Sequence, residues 1–185
     1  MAPRMPKMIV FDLDYTLWDL WIDTHISSPL KVSSQSTGSR GNQKCNALVD
    51  RHGTDLEFYH DVPSILVDLQ TASVQVGIAS RTSAPDLART ALSLLTIDAS
   101  PASSFFDKSA IEIYPGSKLR HFKAIHQRTG VPYDEMVFFD DEKRNREVAQ
   151  LGVTFVLVPN GVNKGVFQRG LEDWRKGKSV EVEQP

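Results

Sequence analysis

Five short apolar segments, spread along the chain, constrain the fold more than any other feature of the sequence. They are MIVF at 8–11, VQVGIA at 74–79, AIEIY at 110–114, MVFF at 136–139 and TFVLV at 154–158. They are rich in Val, Ile and Phe, and three of them are almost continuously apolar rather than alternating. This pattern is typical of strands that are buried on both faces of a parallel sheet.

The segments between these apolar runs predict helices. The predicted helices cover 61–72, 84–96, 117–129, 142–151 and 163–175. Pro63 lies in the first turn of the first helix, and Gly152 follows the fourth, where such residues favour a helix start and a helix end. Strands that alternate with helices predict a doubly wound α/β fold, with the binding loops at the carboxyl ends of the strands.

Residues 22–60 interrupt this alternation. The stretch SSPLKVSSQSTGSRGNQKCN within them is rich in Ser, Gly, Asn and Gln and is too long for an ordinary connection. We expect a polar insertion there, mobile or folded as a small β-flap, beside the strand end that carries Asp12. Residues 1–177 are predicted to form a single domain, and 178–185 a flexible tail.

Composition narrows the classes of partner and compartment. The 185 residues carry a formal net charge of -2, so no general basic field attracts nucleic acid or an anionic membrane. Cys45 is the single cysteine, which excludes an internal disulfide and favours a reducing compartment; we expect it to be a bystander. No apolar run approaches the roughly 20 residues of a membrane span. We therefore predict a cytoplasmic protein, monomeric by default.

The ends of three predicted strands and the start of one predicted helix carry residues able to bind a cation and a phosphoryl group. Asp12 and Asp14 follow the first strand. The others are Ser80 and Arg81 after the second strand, Asp140 and Asp141 after the fourth, and Lys118 at the helix start. Because the carboxyl ends of parallel strands meet at one edge of a sheet, we expect the strand-end groups to lie together. An Asp-x-Asp pair alone arises by chance, so the prediction depends on the ordered set.

These residue types suit the hydrolysis of a phosphate ester. Mg²⁺ prefers hard oxygen ligands, which Asp12, Asp140 and a main-chain carbonyl could supply. A carboxylate can attack phosphorus to form an aspartyl-phosphate, and a second carboxyl two residues on can protonate the leaving oxygen and later deprotonate water. Lys118 would offset the repulsion between carboxylates, and Ser80 with backbone N–H groups could hold the phosphoryl oxygens.

The same residues carry a resemblance to a known family. DLDYTLW, Ser80 after VGIA, Lys118 and FFDDE resemble the four motifs of haloacid dehalogenase-type phosphatases. With WIDTH, ASRTS, EIYPGSK and HFKAIHQRTGVPYDEMVFFDDEKRN, the match is similar to the eukaryotic magnesium-dependent phosphatase family within that superfamily, over most of residues 5–157. The resemblance implies a three-layer Rossmann-like sandwich around a parallel sheet, no large cap domain, and Mg²⁺ as cofactor.

The resemblance also implies a role for each matching residue. Asp12 matches the nucleophile and a Mg²⁺ ligand, and Asp14 matches the acid/base that also binds the metal through its main-chain carbonyl. Asp140 matches the third protein ligand, with Asp141 as an outer-sphere partner. The phosphate-binding set implied in this way is Leu13, Asp14, Ser80, Arg81 and Lys118, in which Lys118 neutralises the aspartyl-phosphate and Arg81 faces the substrate.

Other interpretations stay open at the level of sequence. A signalling receiver domain also combines acidic residues, a phospho-accepting Asp, a hydroxyl and a Lys, although its acceptor lies on a later strand. A haloacid dehalogenase shares the first Asp and the Lys but needs neither a second Asp nor Mg²⁺. Ser80 could cap the helix that follows it, and Lys118 could be an ordinary solvated lysine. Trp18 and Trp21 are predicted to be packing residues, with an aromatic wall for the substrate as the alternative.

The substrate is not specified by these motifs. Phosphotyrosine in proteins and phosphorylated or glycated sugars are both compatible with a site that lacks a large cap. We expect the substrate to be a phosphorylated sugar or a phosphoprotein.

Overall fold

A computed structural model describes residues 3–40 and 42–177, and the tail predicted at 178–185 lies outside the described residues. In chain order the strands are β1 (Met8–Phe11), β2 (Lys31–Arg40), β3 (Gln43–Val49), β4 (Asp55–Leu56), β5 (Gln75–Ser80), β6 (Thr96–Ile97), β7 (Ser100–Pro101), β8 (Ile111–Ile113), β9 (Met136–Asp140) and β10 (Thr154–Leu157). The α-helices are α1 (Ile22–His25), α2 (Val62–Thr71), α3 (Pro85–Leu94), α4 (Lys118–Thr129) and α5 (Lys164–Arg175).

The central sheet confirms the predicted α/β fold with a parallel sheet. Within the described residues it contains five strands in the order β10-β9-β1-β5-β8, and the five are the predicted apolar segments to within one or two residues. All its neighbouring strands run parallel. β1 lies in the middle, where Phe11 pairs with Ile78 of β5 on one side and with Phe139 of β9 on the other. The chain crosses from β8 at one edge to β9 beyond β1, and such a change of direction is where α/β sheets place their binding sites.

Both faces of the sheet are covered, which explains why its strands are almost continuously apolar. Successive side chains of a strand point to opposite faces. Ile9 and Phe11 of β1 therefore lie in one apolar core with residues of α2, α3 and α5. Met8 and Val10 lie in a second core with residues of α4. The result is the predicted three-layer sandwich.

The segment after β9 differs from the predicted α-helix over 142–151. It is a 3₁₀ helix, Lys143–Leu151, that ends at Gly152 with φ 101°. Its first turn is bound to the sheet, because the side-chain amide of Asn145 donates to both carboxylate oxygens of Asp140 at 2.9 Å. The charged sequence of this turn carries no periodicity that separates an α-helix from the tighter 3₁₀ form.

Residues 31–56, within the insertion expected at 22–60, contribute three strands to a small antiparallel sheet. β2 and β3 form a hairpin, and β3 also pairs with β4 and, through Cys45 and Ile97, with β6. The prediction was therefore incomplete, since β6 and β7 come from residues 96–101, outside the expected insertion. Leu48 and Leu56 are buried in the same core as α2 and α3, which anchors this sheet to the body of the protein.

Cys45 lies in that anchored sheet. Its side chain is buried, and burial raises the pKa of the thiol to about 11. A thiol with a raised pKa is a weak nucleophile, in agreement with the predicted bystander role. In the part of the chain that the structure describes, no helix combines the length and the apolar character needed to cross a membrane.

Candidate active site

Three strand ends bring the predicted polar residues together. Asp12 follows β1, and its backbone N–H donates to the carbonyl of Phe139 in β9 at 2.9 Å. Ser80 is the last residue of β5, and Asp140 is the last residue of β9. Because β1 lies between β5 and β9, these three residues meet at one edge of the sheet.

Lys118 joins this cluster from α4, of which it is the first residue. Its Nζ lies 2.8 Å from Asp12 Oδ1 and 3.0 Å from Asp140 Oδ2, and it also donates to the carbonyl of Ala79. The side chain is 1% exposed, so Lys118 is not an ordinary solvated lysine. Burial alone lowers the pKa of Lys118, but the charges of Asp12 and Asp140 outweigh it and raise that pKa above its usual value.

Hydrogen bonds at the N-terminus of α4 fix the backbone of Lys118. The Lys118 N–H donates to Glu147 Oε1 at 2.9 Å, and Ser117 caps the helix by accepting from the backbone N–H of Arg120. Both acceptors satisfy N–H groups that a helix start leaves without partners. The ammonium is therefore presented between two carboxylates by a fixed helix end.

Three carboxylates lie close enough to share a cation. Asp12, Asp140 and Asp141 each offer an oxygen, and these oxygens all lie within 4.8 Å of one another. Burial raises the pKa of Asp12 well above its ordinary value despite Lys118, and burial together with the charges of Asp140 and Glu142 raises the pKa of Asp141 to about 7. Asp141, predicted as an outer-sphere partner, thus lies as close to the other two as a ligand would.

The side chain of Asp14 is buried but is not one of these three grouped carboxylates. Its Oδ1 accepts a hydrogen bond of 2.7 Å from Trp18 Nε1, and the backbone N–H of Ile22 also binds the carboxylate. Burial raises the pKa of Asp14 to about 6, and these two hydrogen bonds oppose the rise. Hydrogen bonds from Trp18 and Ile22 therefore hold the Asp14 side chain, and its metal role through the main-chain carbonyl stays a prediction.

The chain forms a tight turn directly after Asp12. The carbonyl of Leu13 accepts from the N–H groups of Thr16 and Leu17 at 3.1 and 2.8 Å. Tyr15 has a φ of 52°, in the left-handed region that costs a non-glycine residue energy and that clusters at functional sites. The side chain of Leu13 is fully buried, so only its backbone is available to the predicted phosphate site.

The loop after β5 holds the predicted phosphate-binding residues. Ser80 Oγ accepts from the backbone N–H of Thr82 at 3.4 Å, and α3 begins only at Pro85, so Ser80 does not cap that helix. The carboxylate of Asp23, in α1, accepts from the N–H and the hydroxyl of Ser83 at 3.0 and 2.8 Å. α1 therefore fixes the end of the loop, a contact that the sequence pattern did not indicate.

Asn145 connects two parts of the site. Its Nδ2 donates to both oxygens of Asp140, and its Oδ1 accepts from Arg81 Nη1 at 3.1 Å. Asn145 is 1% exposed and was not among the predicted site residues. Its position five residues after Asp140, in the DDEKRN stretch, was the signal that could have identified it.

These residues surround a cavity of about 300 Å³ that is open to solvent. The residues that line it are Asp12, Asp14, Trp21, Asp23, Thr24, Ser80, Arg81, Thr82, Lys118, Asp141, Glu142, Arg144 and Asn145. Trp21 is 48% exposed and makes an edge-to-face contact with Tyr15, so its predicted packing role is wrong. Trp18 is fully buried, which confirms packing, but its hydrogen bond to Asp14 was not predicted.

The cluster fits a hard divalent cation. Its donors are carboxylate oxygens, which Mg²⁺ prefers, and a single buried ammonium offsets the charges of Asp12 and Asp140. Burial is the main cause of the raised pKa values of Asp12 and Asp141, and repulsion from the charge of Asp140 adds to both. A divalent cation would favour the ionised form of both carboxylates.

Mg²⁺ should therefore stabilise the fold measurably. At about 100 times its dissociation constant, we expect Mg²⁺ to raise Tm by about 5–10 °C, because a ligand that binds only the native state stabilises it. Asp140→Asn should abolish most of this shift, whereas Asp134→Asn, at an exposed position before β9, should preserve it. Differential scanning fluorimetry with and without Mg²⁺ measures the effect. An undiminished shift in Asp140→Asn contradicts the assignment.

His121, one turn after Lys118, predicts a second stability effect. The side chain is fully buried, and its Nε2 lies 3.0 Å from the carbonyl of Tyr114. Burial and the charge of Lys118 lower the pKa of His121 to about 4. Since the unfolded chain binds this proton at a pKa of about 6.5, stability is present above that pH and falls by roughly 2–3 kcal/mol towards pH 4.5.

The variant His121→Gln tests this effect, because Gln keeps a donor for the Tyr114 carbonyl but does not titrate. Its free energy of unfolding in urea should fall less than that of wild type between pH 7 and pH 4.5. His60→Gln, at an exposed position, is the matched control and should follow wild type. An equal acid dependence of wild type and His121→Gln refutes the prediction.

The fold and the cluster define a class of protein. The parallel sheet carries an Asp-x-Asp turn after its central strand, and a serine and an acidic pair after the flanking strands. A helix start adds a lysine. This is the arrangement expected from the resemblance to the haloacid dehalogenase-type phosphatases. A family model for acid phosphatases matches residues 4–177. The chain belongs to that family, which confirms the resemblance found in the sequence.

Individual relatives agree with this assignment. The chain is 50% identical over 157 residues to a HAD-like hydrolase superfamily protein of Schizosaccharomyces pombe, covering 83% of this chain and 86% of the relative. It is 41% identical over 177 residues to magnesium-dependent phosphatase 1 of Homo sapiens, covering 95% of this chain and 91% of the relative. These relatives favour a phosphatase over the receiver domain and the haloacid dehalogenase.

A solved structure supports the fold independently. A HAD-superfamily hydrolase from Ehrlichia chaffeensis superposes with a TM-score of 0.56 at 12% identity, covering 95% of this chain and 98% of that structure. At this identity the similarity concerns the fold alone.

Proposed function

We propose that this phosphatase is a Mg²⁺-dependent phosphomonoester hydrolase that acts through an aspartyl-phosphate on Asp12. One observation carries the proposal: the ammonium of Lys118 is held between Asp12 and Asp140, at 2.8 and 3.0 Å, at the carboxyl edge of the sheet. Its positive charge suits a site that receives a phosphoryl group. Mg²⁺ as cofactor is supported by the relative named for magnesium dependence and by the carboxylate cluster.

In the first step, a carboxylate oxygen of Asp12 forms a bond to phosphorus while the ester P–O bond breaks. The electron pair of that bond stays on the leaving oxygen, which takes the proton of the Asp14 carboxyl and departs as an alcohol. The pKa of about 6 at Asp14 keeps a fraction of this carboxyl protonated near neutral pH. Ser80 and Arg81 line the cavity on the side of β5 and would bind the phosphoryl oxygens.

In the second step, water attacks phosphorus, and Asp14, now ionised, takes a proton from it. The bond between phosphorus and Asp12 breaks, and its electron pair returns to the carboxylate, so that inorganic phosphate leaves and both aspartates regain their starting states. Lys118 donates to Asp12 Oδ1 at 2.8 Å and would neutralise charge that develops on the acyl oxygen.

Asp12, Asp140, the main-chain carbonyl of Asp14 and, by proximity, Asp141 would hold Mg²⁺. When bound, Mg²⁺ supplies positive charge that offsets the phosphoryl oxygens and polarises them. Lys118 and Arg81 add to this charge from the protein side.

The substrates that we propose are phosphotyrosine in proteins and phosphorylated, including glycated, sugars. The cavity is open to solvent, and the exposed ring of Trp21 at its rim offers an apolar face to an aryl or sugar group. Among the described residues no large cap domain covers the site, so a substrate larger than a free sugar phosphate can enter. The predicted cytoplasmic location and monomeric state stay predictions.

A kinetic survey tests the function. We expect kcat/KM to be highest for one class among phosphopeptides, phosphosugars and nucleotides, to require Mg²⁺, and to fall to background in EDTA. Full activity in excess EDTA contradicts the metal requirement. Stable phosphorylation by acetyl phosphate without turnover contradicts the hydrolase.

A further inference from the structure

Trp18 makes the one side-chain hydrogen bond that the structure records to the carboxylate of Asp14 within residues 3–40 and 42–177. The indole Nε1 donates to Asp14 Oδ1 at 2.7 Å, and both groups are buried. The proposed mechanism assigns the proton transfers to Asp14, but it assigns nothing to Trp18. The sequence pattern had placed Trp18 in the core without a polar contact.

Packing and backbone contacts fix the position of the Trp18 indole. Trp18 is fully buried, and its ring stacks on Phe58 with centroids 6.3 Å apart and an interplanar angle of 22°. The backbone of Trp18 forms isolated bridges with both Asp14 and Phe58. The neighbouring backbone is also tied down, because the Tyr59 N–H donates to the Leu17 carbonyl at 2.9 Å. The Nε1 donor therefore has a defined position relative to the carboxyl group.

The chemistry of an indole suits this position. Its N–H donates and never accepts, and it does not titrate in the range where carboxyl groups do. It can hold Asp14 in one orientation both when Asp14 carries the proton and when it has given the proton away. A group that must protonate a leaving oxygen needs such a fixed geometry, since proton transfer depends on short heavy-atom contact.

We propose that Trp18 is a positioning residue, which orients the carboxyl group of Asp14 for protonation of the leaving-group oxygen. This inference rests on the proposed function, because it assumes that Asp14 is the acid. Its consequence concerns substrates. Esters with a poor leaving group, such as alkyl phosphates, need the proton, whereas p-nitrophenolate leaves without much assistance.

The test compares kcat/KM for a series of phosphate monoesters, from p-nitrophenyl phosphate to an alkyl phosphate, in wild type and Trp18→Phe with Mg²⁺. We expect the ratio of kcat/KM for p-nitrophenyl phosphate to that for the alkyl phosphate to rise about 10-fold or more in Trp18→Phe. Because kcat/KM reports the steps up to cleavage of the ester bond, later hydrolysis does not affect it. A purely structural role would lower both values together and leave their ratio unchanged.

Trp174→Phe is the matched control. Trp174 is also buried, and its Nε1 also donates a hydrogen bond of 2.7 Å, but to the backbone carbonyl of Asp134. This variant loses the same N–H and the same part of a ring, and its ratio should equal that of wild type. If Trp18→Phe folds poorly, Trp18→3-benzothienylalanine keeps the ring volume and removes only the N–H, and it should raise the ratio equally.

The variant Asp14→Asn distinguishes failure of the Trp18 inference from failure of the assignment of Asp14 as the acid. If Asp14→Asn raises the ratio strongly and neither Trp18 variant does, positioning by Trp18 is overturned while the proposed function stands. If Asp14→Asn leaves the ratio unchanged, the assignment of the acid fails, and the inference fails with it. In support, the double variant Trp18→Phe/Asp14→Asn should have the same ratio as Asp14→Asn alone, because Trp18 acts through Asp14.

Discussion

The variant Asp12→Asn is expected to lower kcat/KM for p-nitrophenyl phosphate by about 10⁴-fold or more, because an amide does not attack phosphorus at a useful rate. Asn has nearly the shape of Asp, and its amide oxygen can still accept the hydrogen bond from Lys118 that Asp12 Oδ1 accepts at 2.8 Å. The loss should therefore reflect chemistry rather than folding. Steady-state kinetics with Mg²⁺ measures it.

Folding of this variant is itself predicted. Because burial raises the pKa of Asp12 well above its ordinary value, the native state holds this carboxylate at a cost. Without Mg²⁺, Asp12→Asn should therefore be at least as stable as wild type. Asp68→Asn, at an exposed position in α2, is the control and should keep full activity. If kcat/KM of Asp12→Asn stays within about 10-fold of the wild-type value, Asp12 is not the nucleophile.

The variant Lys118→Met should reduce the free energy of unfolding in EDTA by roughly 3–5 kcal/mol, because it leaves two buried carboxylates without their cation. The wild-type ammonium is 1% exposed and lies within 3.0 Å of both Asp12 and Asp140. Met keeps most of the aliphatic length, so the lost packing is small. Urea unfolding at neutral pH, followed by circular dichroism, measures the change.

Activity and metal provide two further readings of Lys118→Met. We expect kcat/KM to fall together with stability, since the variant also loses the charge that faces the phosphoryl group. Mg²⁺ should restore part of the stability, because it supplies positive charge to the same carboxylates. Lys123→Met, at an exposed position on the same helix, should change neither quantity. Equal stability losses for the two variants are incompatible with a charge-neutralising Lys118.

The central sheet could be predicted from sequence because its strands are buried on both faces. Such strands need apolar residues at nearly every position, and segments such as 8–11 and 136–139 show this within four residues. The small second sheet could not be predicted in the same way. Its contacts are few and non-local, as where Cys45 of β3 pairs with Ile97 of β6, and its strands are short or polar.

Some residues of the candidate site could be predicted from the sequence, and others could not. Asp12, Ser80, Lys118 and Asp140 could be predicted because fold topology places strand ends and a helix start at one edge. Trp18 could not, since an apolar residue that also donates a hydrogen bond looks like any core residue in a sequence.

The sequence also did not indicate which side chains near the cavity are exposed and which are buried. Trp21 was expected to pack, but it is 48% exposed at the rim of the cavity, which Asp23 and Thr24 of α1 also line. Asn145 lies in the helix predicted over 142–151, and only its spacing from Asp140 could have indicated that it is buried against that carboxylate.

The most direct test of the account identifies the residue that carries the phosphoryl group during turnover. The protein is mixed with p-nitrophenyl phosphate and Mg²⁺, quenched in acid and reduced with borohydride, which converts an aspartyl-phosphate to homoserine. Asp14→Asn is treated in parallel, because it should form the intermediate from this good leaving group and hydrolyse it slowly. Peptide mass spectrometry should find homoserine at position 12, with more of it in Asp14→Asn. Homoserine at position 140 or 141 instead, or none in either protein while p-nitrophenol is released, would contradict the mechanism proposed for Asp12.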